Sequence, residues 1–518
     1  MVDVSLRGRA RSRRAFVQSV AGAGLFAAGL AAARPLLAQA RGDLRVSANV
    51  NPSTLDPMTG RSGGDHQFLY PIFDTLVQWE PKTGEPRPGL AQSWTYKDDK
   101  TLVLELRPGL VFQDGTPLDA EAVKFNLDRN RQDQRSNIKV DLSSVDTVET
   151  SGPTTVVVKL KASDRSLPLI LSDRAGMMVS PAAVKASANG TLDRNPVGAG
   201  PWKYVKWEDN TIVSYAANPA YWDKAIPKID KIDMRIIPEV ATGVRAMMAG
   251  EADMVVAVPP VQRTVLERSG KATVYVNPSL YLHMVYLDYS RPPLNDVRVR
   301  RALNLAVDRN AFNAAAMAGL GEPATAVFPK DYWPYDPALA GLLAYDPDKA
   351  RALIKEVGAE VTVTGFTYSD QAAVQRGELL VEMWSKVGIK AKMRGAAVAE
   401  ASASFFGQRT TDMFLAALTS RPDPSMGCYI LFNKDSFYNG GHQEIPGMEA
   451  ALAESRAGAT QELRKAALSK VQRIACEQAV FLPLVFDASV IGVSKKFTGF
   501  QPNIFGRPRY ETLAPAKS

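Results

Sequence analysis

Histidine and cysteine, the residues on which many enzymes depend, are scarce in this sequence. Its 518 residues include three histidines (His66, His283 and His442) and two cysteines (Cys428 and Cys476). The histidines are widely spaced, and no His–Cys arrangement indicates a catalytic thiol. The chain also lacks the His-Glu-x-x-His and Cys-x-x-Cys patterns and a phosphate-binding loop. We therefore predict a protein that catalyses no reaction and holds no cofactor.

A concentrated excess of basic residues is also missing. The formal net charge of +8 arises largely at the N-terminus, where residues 1–40 contain six arginines and one acidic residue. Without these residues the net charge is +3, and there is no basic segment of the kind that nucleic acids require. Beyond residue 40 no segment approaches the length of a membrane-spanning helix. We predict neither nucleic-acid binding nor a membrane anchor.

Residues 1–40 have the features of an export signal. The run Ser12-Arg13-Arg14-Ala15-Phe16 contains the twin-arginine pattern, and a short apolar stretch rich in Ala and Gly follows at residues 20–33. Ala38-Gln39-Ala40 is a small-x-small cleavage site, which places the mature N-terminus at Arg41. We predict twin-arginine export to a bacterial periplasm. In that oxidising compartment the two cysteines can form a disulfide, but the sequence leaves their pairing open.

The mature chain alternates between strand-like and helical segments. Between residues 295 and 312 apolar residues recur at the spacing of one helix face, namely Val299, Ala302, Leu303, Ala306 and Val307. We place the nearby arginines, including Arg300, on the solvent side of this helix. In a second helix Asp346 is the predicted cap, Pro347 the first residue and Gly358 the stop. A strand–helix–strand unit follows at residues 361–393, which indicates an α/β fold with partly parallel strands.

The segment at residues 295–312 resembles the signature of the dipeptide/oligopeptide/nickel family of periplasmic solute-binding proteins, the family 5 extracellular solute-binding proteins of ABC importers. Further segments of the chain resemble other motifs of the family and occur in the family's order. They include Val111–Phe125, Asn195–Tyr204 and Asn218–Trp222. The resemblance implies an α/β flytrap of two lobes with an additional inserted α+β domain. The implied parts are lobe I (residues 41–75, 197–282 and 483–518), the inserted domain (76–196) and lobe III, the second ligand-binding lobe (283–482).

The loop Thr419–Ser425 is the leading candidate for ligand contact, because ligands of open α/β units bind beyond the carboxyl ends of strands. It is similar to the family loop whose aspartate pairs with a ligand amine, and Asp423 is the position we match to that aspartate. Arg421 offers a planar fork suited to a carboxylate, with Ser420 beside it. The alternative, which the sequence leaves open, is an ion pair between Arg421 and Asp423 that fixes the loop.

Two further segments are expected to face the same cleft. From lobe I these are Gly64, Asp65 and His66, where Asp65 either meets a ligand amine or caps the next helix. From the strand that begins lobe III they are Tyr281 and His283. No metal site is predicted: His442 is the one metal ligand we considered, and a single imidazole does not make a dedicated site.

We therefore predict the substrate-binding component of an ABC importer, whose partners are a membrane permease and its ATPase subunits. The ligand expected is a short peptide or a related carboxylate-bearing organic solute, and the receptor is expected to be a monomer. Three alternatives remain open: a receptor for a nickel chelate or other non-peptide solute, a binding protein that signals to a membrane sensor, and an exported enzyme.

Overall fold

The computed structural model describes residues 42–60 and 62–517, so the predicted leader lies outside the described residues. The strands are, in chain order, β1 Asp43–Ala48, β2 Val77–Trp79, β3 Pro86–Pro88, β4 Ala91–Asp98, β5 Thr101–Leu106, β6 Val145–Thr150, β7 Thr155–Leu160, β8 Trp202–Glu208, β9 Ile212–Ala217, β10 Lys231–Ile236, β11 Met254–Val255, β12 Ala272–Leu287, β13 Glu322–Pro323, β14 Thr362–Tyr368, β15 Lys390–Ala396, β16 Met413–Leu418, β17 Phe481–Ser494, β18 Phe497–Thr498 and β19 Ala514–Pro515.

The α-helices are α1 His66–Leu69, α2 Ala120–Gln132, α3 Leu167–Ile170, α4 Pro181–Ala186, α5 Val240–Ala249, α6 Pro260–Arg268, α7 Val297–Leu305, α8 Arg309–Ala316, α9 Pro347–Val357, α10 Gln371–Ser385, α11 Val398–Ser402, α12 Pro424–Phe432, α13 Met448–Ala457 and α14 Gln461–Glu477. Short 3₁₀ turns lie at Gly63–Asp65, Lys139–Leu142, Arg174–Gly176 and Pro337–Leu339, and a π turn at Ala403–Gly407. In the part of the chain that the structure describes, no helix is both apolar enough and long enough to cross a membrane.

Helix ends follow the signals in the sequence. The Asp346 side chain accepts a hydrogen bond from the Lys349 amide, Pro347 is the first residue of α9, and Gly358 ends the helix with φ of 72°. That left-handed conformation is one that glycine adopts without a steric penalty. These three predicted signals are confirmed.

The predicted amphipathic helix at residues 295–312 is two helices. Asp296 caps α7 and Asp308 caps α8, because each side chain accepts hydrogen bonds from free backbone amides of the following turn. The predicted apolar residues are all buried, so the helix face was assigned correctly.

The placement of Arg300 on the solvent side was wrong. Arg300 is buried, and its guanidinium donates to the carbonyl oxygens of Leu294 and Gln478, both at 2.7 Å. Burial lowers the pKa of Arg300 to about 10. Arg301 is exposed as predicted. Arg300 thus ties the start of α7 to the turn that leads from α14 into β17.

One large sheet, in the order β15-β14-β16-β12-β17-β11-β1-β10-β9-β8 with β13 attached to β17, runs through both predicted lobes. It is parallel where β14 pairs with β15 and β16 and where β1 pairs with β10 and β11, so the predicted partly parallel pairing is confirmed. The long strands β12 and β17 pair with each other along both halves. One half lies beside β16, and the other lies beside β11.

The ladder between β12 and β17 is interrupted at residues 279–281. There the Leu280 amide donates to the Ile504 carbonyl at 2.7 Å, and the Ser279 hydroxyl donates to the Asp487 carbonyl at 2.9 Å. The C-terminal segment therefore fills the gap in the ladder where the two halves of the sheet meet. This break lies between the two predicted lobes, where a hinge is expected.

A separate four-stranded antiparallel sheet, β4-β5-β7-β6, lies inside the range predicted as the inserted domain. Leu102, Leu104, Val156 and Val158 point from this sheet into a hydrophobic cluster that α2 also joins. The residue limits of the three parts stay a prediction. Both cysteines are buried free thiols, and burial raises the pKa of each.

Replacing Arg300 with alanine should lower the free energy of unfolding by about 2–4 kcal/mol, because buried carbonyl groups lose their donor and a cavity is left. Urea denaturation of the mature protein measures this change. The neighbouring Arg301→Ala is the matched control and should cost less than about 0.5 kcal/mol, since that side chain is exposed. Equal losses for the two variants would contradict the buried role of Arg300.

Candidate ligand-binding site

Two of the predicted ligand-binding segments come together in the structure. The turn from Ser62 to His66 lies against the loop that follows β16. A Cβ atom on Gly63 would lie only 3.1 Å from the Thr419 Cγ2 atom. The absence of a side chain at Gly63 therefore allows the lobe I turn and the lobe III loop to touch. Gly64, beside it, donates its amide to the Ser62 hydroxyl at 3.1 Å.

Asp65 supports this turn from within. Its carboxylate accepts hydrogen bonds from the Ser53 amide (2.8 Å), the Ser53 hydroxyl (2.7 Å) and the Ser62 amide (3.2 Å), and it pairs with Arg174 at 3.3 Å. Asp65 and Ser62 form a reciprocal capping box around the 3₁₀ turn. Of the two predicted roles, the structure favours capping, although the capped element is this turn and not the helix after it.

His66 connects the same turn to Asp173, in the range predicted as the inserted domain (76–196). Its Nε2 atom lies 2.5 Å from an Asp173 carboxylate oxygen, and its Nδ1 atom lies 3.0 Å from the Gly63 carbonyl oxygen. A neutral ring has one N–H, which we assign to Nε2 because the bond to a carboxylate is the stronger one. Because Nδ1 faces a carbonyl oxygen, which can only accept a hydrogen bond, that contact favours protonation of Nδ1 as well. Burial and the Arg507 guanidinium oppose that proton and lower the pKa of His66 to about 4.

Arg507 joins the inserted domain to the lobe III loop. It pairs with Asp173 at 3.0 Å and donates to the Ser420 carbonyl at 2.7 Å. The Ser420 side chain is buried and lies 3.5 Å from the Phe505 carbonyl. Ser420 is thus held by the C-terminal segment, and its position fixes the start of the loop that carries Arg421.

Asp423 is not free to meet a ligand amine. It is buried, and both its oxygens accept from Arg464, at 2.6 and 2.7 Å. One oxygen also accepts from the Ser425 amide at 2.9 Å and so caps α12. We therefore no longer assign Asp423 a ligand contact. The alternative ion pair with Arg421 was also wrong, because the cation that Asp423 holds is Arg464.

Arg421 has no hydrogen bond or ion pair with another described residue. Its side chain is half-buried, and its positive charge acts on Asp141 and Asp173 of the inserted domain. An arginine held at this depth without an internal partner is available for an anion, and a carboxylate matches its fork. Among the predicted site residues Arg421 has the geometry most suited to ligand contact.

Tyr281 and His283 lie on β12 and belong to a second cluster. Their rings are 5.5 Å apart, and the His283 Nε2 atom lies 3.6 Å from an Asp487 carboxylate oxygen. Because Leu282 pairs with Leu418, Tyr281 lies beside the start of the Arg421 loop. The Arg421 loop and the pair of Tyr281 and His283 therefore border the same region, where strands of lobe III end.

Arg376 on α10 belongs to the second cluster and was missed at the level of sequence. Its side chain is half-buried and has no hydrogen bond or ion pair with a described residue. Burial lowers its pKa, while the charges of Asp370 and Asp487 and the nearby Tyr281 oppose that shift. The sequence contained a signal that this side chain would be partly buried. Arg376 is three residues after Ala373 and four before Leu380, which is the spacing of the buried helix face.

No metal centre is formed by the described residues, since they contain no group of three or more His, Cys, Asp and Glu side chains that could hold an ion. His442 lies near Arg409, and burial together with that positive charge lowers its pKa. A cation beside an imidazole disfavours metal binding there.

Comparison with known proteins agrees with this architecture. The family described as "Bacterial extracellular solute-binding proteins, family 5 Middle" matches residues 85–439. The chain belongs to this family. The predicted α/β flytrap and the predicted role as the solute-binding component of an ABC importer are confirmed at the level of the family.

Three relatives align with almost the whole length of this chain. The "Glutathione-binding protein GsiB" of Escherichia coli (strain K12) is 29% identical over 509 residues, which cover 92% of this chain and 95% of that protein. A dipeptide-binding protein from Pseudoalteromonas sp. SM9913 in complex with Met-Leu has a TM-score of 0.82 at 21% identity, covering 92% of this chain and 100% of that one. AgaA from A. tumefaciens R10, in complex with agropinic acid, has a TM-score of 0.81 at 22% identity, covering 92% and 99%.

The pH dependence of stability should report on His66. The folded protein holds this ring neutral down to about pH 4, whereas an unfolded chain protonates it below about pH 6.5. Between these values the unfolded state binds the extra proton, so stability should fall by up to about 3 kcal/mol as the pH is lowered from 6.5 to 4. His66→Gln should remove this part of the slope in urea denaturation measured across that range.

The matched control for the pH experiment is His283→Gln, which removes the other cleft histidine that lies close to a carboxylate. This variant should keep the slope that arises from His66. A His66→Gln protein with an unchanged slope would show that His66 is not the group responsible.

Proposed function

We propose that this chain captures a small peptide or related carboxylate-bearing solute in the periplasm and delivers it to an ABC permease. The observation that carries the proposal is the Arg421 guanidinium, which lies where lobe I, lobe III and the inserted domain meet and has no partner among the described residues. Relatives named for glutathione or solved with Met-Leu or agropinic acid support an acidic organic ligand.

Capture relies on groups that are in position before the ligand arrives. The Ser420 carbonyl is held by Arg507 at 2.7 Å, and the next residue is therefore presented from a fixed backbone. When the lobes close, water leaves the cleft and the attraction between Arg421 and a ligand carboxylate strengthens. Arg376 supplies a second uncommitted guanidinium on the lobe III side, where it can hold another acidic group of the same ligand.

The remaining parts of the proposal concern the route and the partners. Residues 1–40 direct export through the twin-arginine pathway and are cleaved after about Ala40, and the mature receptor acts as a monomer. The permease and its ATPase subunits supply the energy for import. These points rest on the sequence of the leader and on membership of the family.

Removal of the Arg421 guanidinium should abolish the preference for acids. Titration calorimetry should compare Met-Leu with its C-terminal amide, and glutathione with its diethyl ester. In Arg421→Ala the affinity for each acid should fall by about 10- to 100-fold, because a charge-assisted contact is lost. The amide and the ester should bind with little change.

Arg235→Ala is the control for loss of a positive charge, because this arginine is exposed on β10. It should leave the preference for acids intact. If Arg421→Ala still prefers Met-Leu over its amide, the carboxylate contact lies elsewhere and this assignment fails.

Protein exported by its own leader should carry its ligand through purification. Native mass spectrometry of the periplasmic protein should show a chain beginning at Arg41 and a bound species of a few hundred daltons. After denaturing release, that species should contain a carboxylate. Release of a neutral sugar or a lone metal ion would contradict the proposed ligand class, and a retained leader would contradict cleavage.

A further inference from the structure

A buried ion pair joins two of the predicted parts of the chain, the inserted domain (76–196) and lobe III (283–482). The guanidinium of Arg456, in the last turn of α13, donates to a carboxylate oxygen of Asp164, which is 292 residues away in the chain. The side chain of Asp164 is 1% exposed and that of Arg456 is 11% exposed. A buried pair of this kind gives little net stability, but removing one member leaves the other charge buried and uncompensated.

Backbone groups next to this pair also meet across the contact. The Arg165 amide donates to the Arg456 carbonyl at 2.7 Å, and the Ser163 hydroxyl donates to the Ala457 carbonyl at 3.4 Å. The segment at residues 163–165 is therefore held to the end of α13 by main-chain as well as side-chain hydrogen bonds. Such bonds fix the position of one surface on the other.

Apolar side chains of α12 extend the contact. Met426 and Ile430 are buried in a hydrophobic cluster whose other buried members lie between residues 76 and 199. The ring of Tyr429 packs against the same cluster, and its centroid lies 5.6 Å from the guanidinium carbon of Arg456. Lobe III thus buries part of α12 in the core of the inserted domain.

The inserted domain and lobe III are not neighbours in the chain. By the predicted ranges, the inserted domain is continuous with lobe I at both of its ends, and lobe I is joined to lobe III through β12 and β17. The contact between Asp164 and Arg456 is therefore a second connection, made of non-covalent bonds that can separate when the lobes move. A charged pair suits a contact that opens, because both groups regain water when they part.

Arg464 links this contact to the loop that carries Arg421. Its Nε atom donates at 2.9 Å to the carbonyl of Ser455, the residue before Arg456. Its opposite end holds both oxygens of Asp423, which lies two residues after Arg421 and caps α12. The end of α13, the start of α12 and the Arg421 loop are thereby tied into one unit.

We propose that the Asp164–Arg456 pair and the burial of Met426 and Ile430 form a latch, which engages as the lobes close on a ligand and parts as they open. Arg456 is then a positioning residue, which sets the apparent affinity through the fraction of closed receptor and does not touch the ligand. The inference rests on the proposed capture by lobe closure and is independent of the ligand class.

Replacing Arg456 with methionine removes the charge and keeps a long unbranched side chain. Because Asp164 is then buried without a partner whenever the lobes close, the affinity for Met-Leu should fall by about 10- to 100-fold in titration calorimetry. The preference for Met-Leu over its C-terminal amide should equal that of the wild type, since Arg421 is unchanged. Arg473→Met is the matched control and should bind as the wild type does, because the ion pairs of this 43% exposed side chain lie within lobe III.

The melting temperature separates a latch from a fixed part of the fold. If the latch is open without ligand, ligand-free Arg456→Met should melt at nearly the wild-type temperature, and saturating Met-Leu should raise that temperature less than in the wild type. A clear fall without ligand would show that the contact supports the fold and would overturn the inference. An unchanged affinity, or a lost preference for Met-Leu over its amide, would overturn it as well.

A reversible cross-link tests the same contact without an assumption about the ligand. Ser163→Cys together with Ala457→Cys places two thiols across the contact, whereas the native Cys428 and Cys476 are buried. A short bis-methanethiosulfonate should link these thiols more completely in protein that keeps its co-purified ligand or is saturated with Met-Leu than in protein stripped by denaturation and refolding. The linked protein should then retain its ligand during dialysis until dithiothreitol removes the link.

The two experiments distinguish failure of the latch from failure of the proposed function. Equal cross-linking with and without ligand would refute the latch and leave the role of Arg421 standing. If the wild type binds neither Met-Leu nor glutathione, the proposed ligand class fails, and cross-linking in the presence of the co-purified ligand still decides whether the latch exists.

Discussion

The contact between Arg507 and its partners is the constraint on which the candidate site depends. This one guanidinium lies on the C-terminal segment, pairs with Asp173 of the inserted domain and donates to the carbonyl of Ser420 in lobe III. A planar arginine can hold such separate acceptors at once because its donors point in fixed directions. Three distant parts of the chain are thereby brought to one point, and the loop with Arg421 starts from there.

Most charges around this point cancel within the protein. Asp65 is paired with Arg174, Asp423 with Arg464 and Asp164 with Arg456. Such buried pairs give little net stability, but leaving one member unpaired is costly. A partly buried charge without such a partner is therefore a candidate for binding a ligand. The side chains of Arg421 and Arg376 are such groups among the described residues.

Sequence reasoning succeeded where the cause of a structure is local. The ends of α9 could be predicted because their causes lie within a few residues. Asp346 caps the first turn, the ring of Pro347 suits the first helical position, and Gly358 adopts the left-handed conformation that ends the helix. Helical periodicity also found the buried face of α7. It failed for Arg300, because periodicity does not show that the Gln478 carbonyl lies within reach of that guanidinium.

The candidate site was less predictable for the same reason. Arg421 and Asp423 are two residues apart in the sequence, which suggested either a mutual pair or a shared ligand. The true partner of Asp423 is 41 residues away on α14, and no local pattern indicates it. Arg376 was missed for a similar reason, because its nearness to Tyr281 and Asp487 is a property of the folded chain.

The crossing of the two lobes by β12 and β17 determines how the cleft can move. Paired strands bend and twist easily out of their plane, but sliding within the plane would break the hydrogen bonds on both sides of the gap at residues 279–281. A closure that bends this pair would therefore be guided in one direction and resisted in the others. The loop with Arg421, which follows the β16 strand paired with β12, would then approach the other lobe along one path.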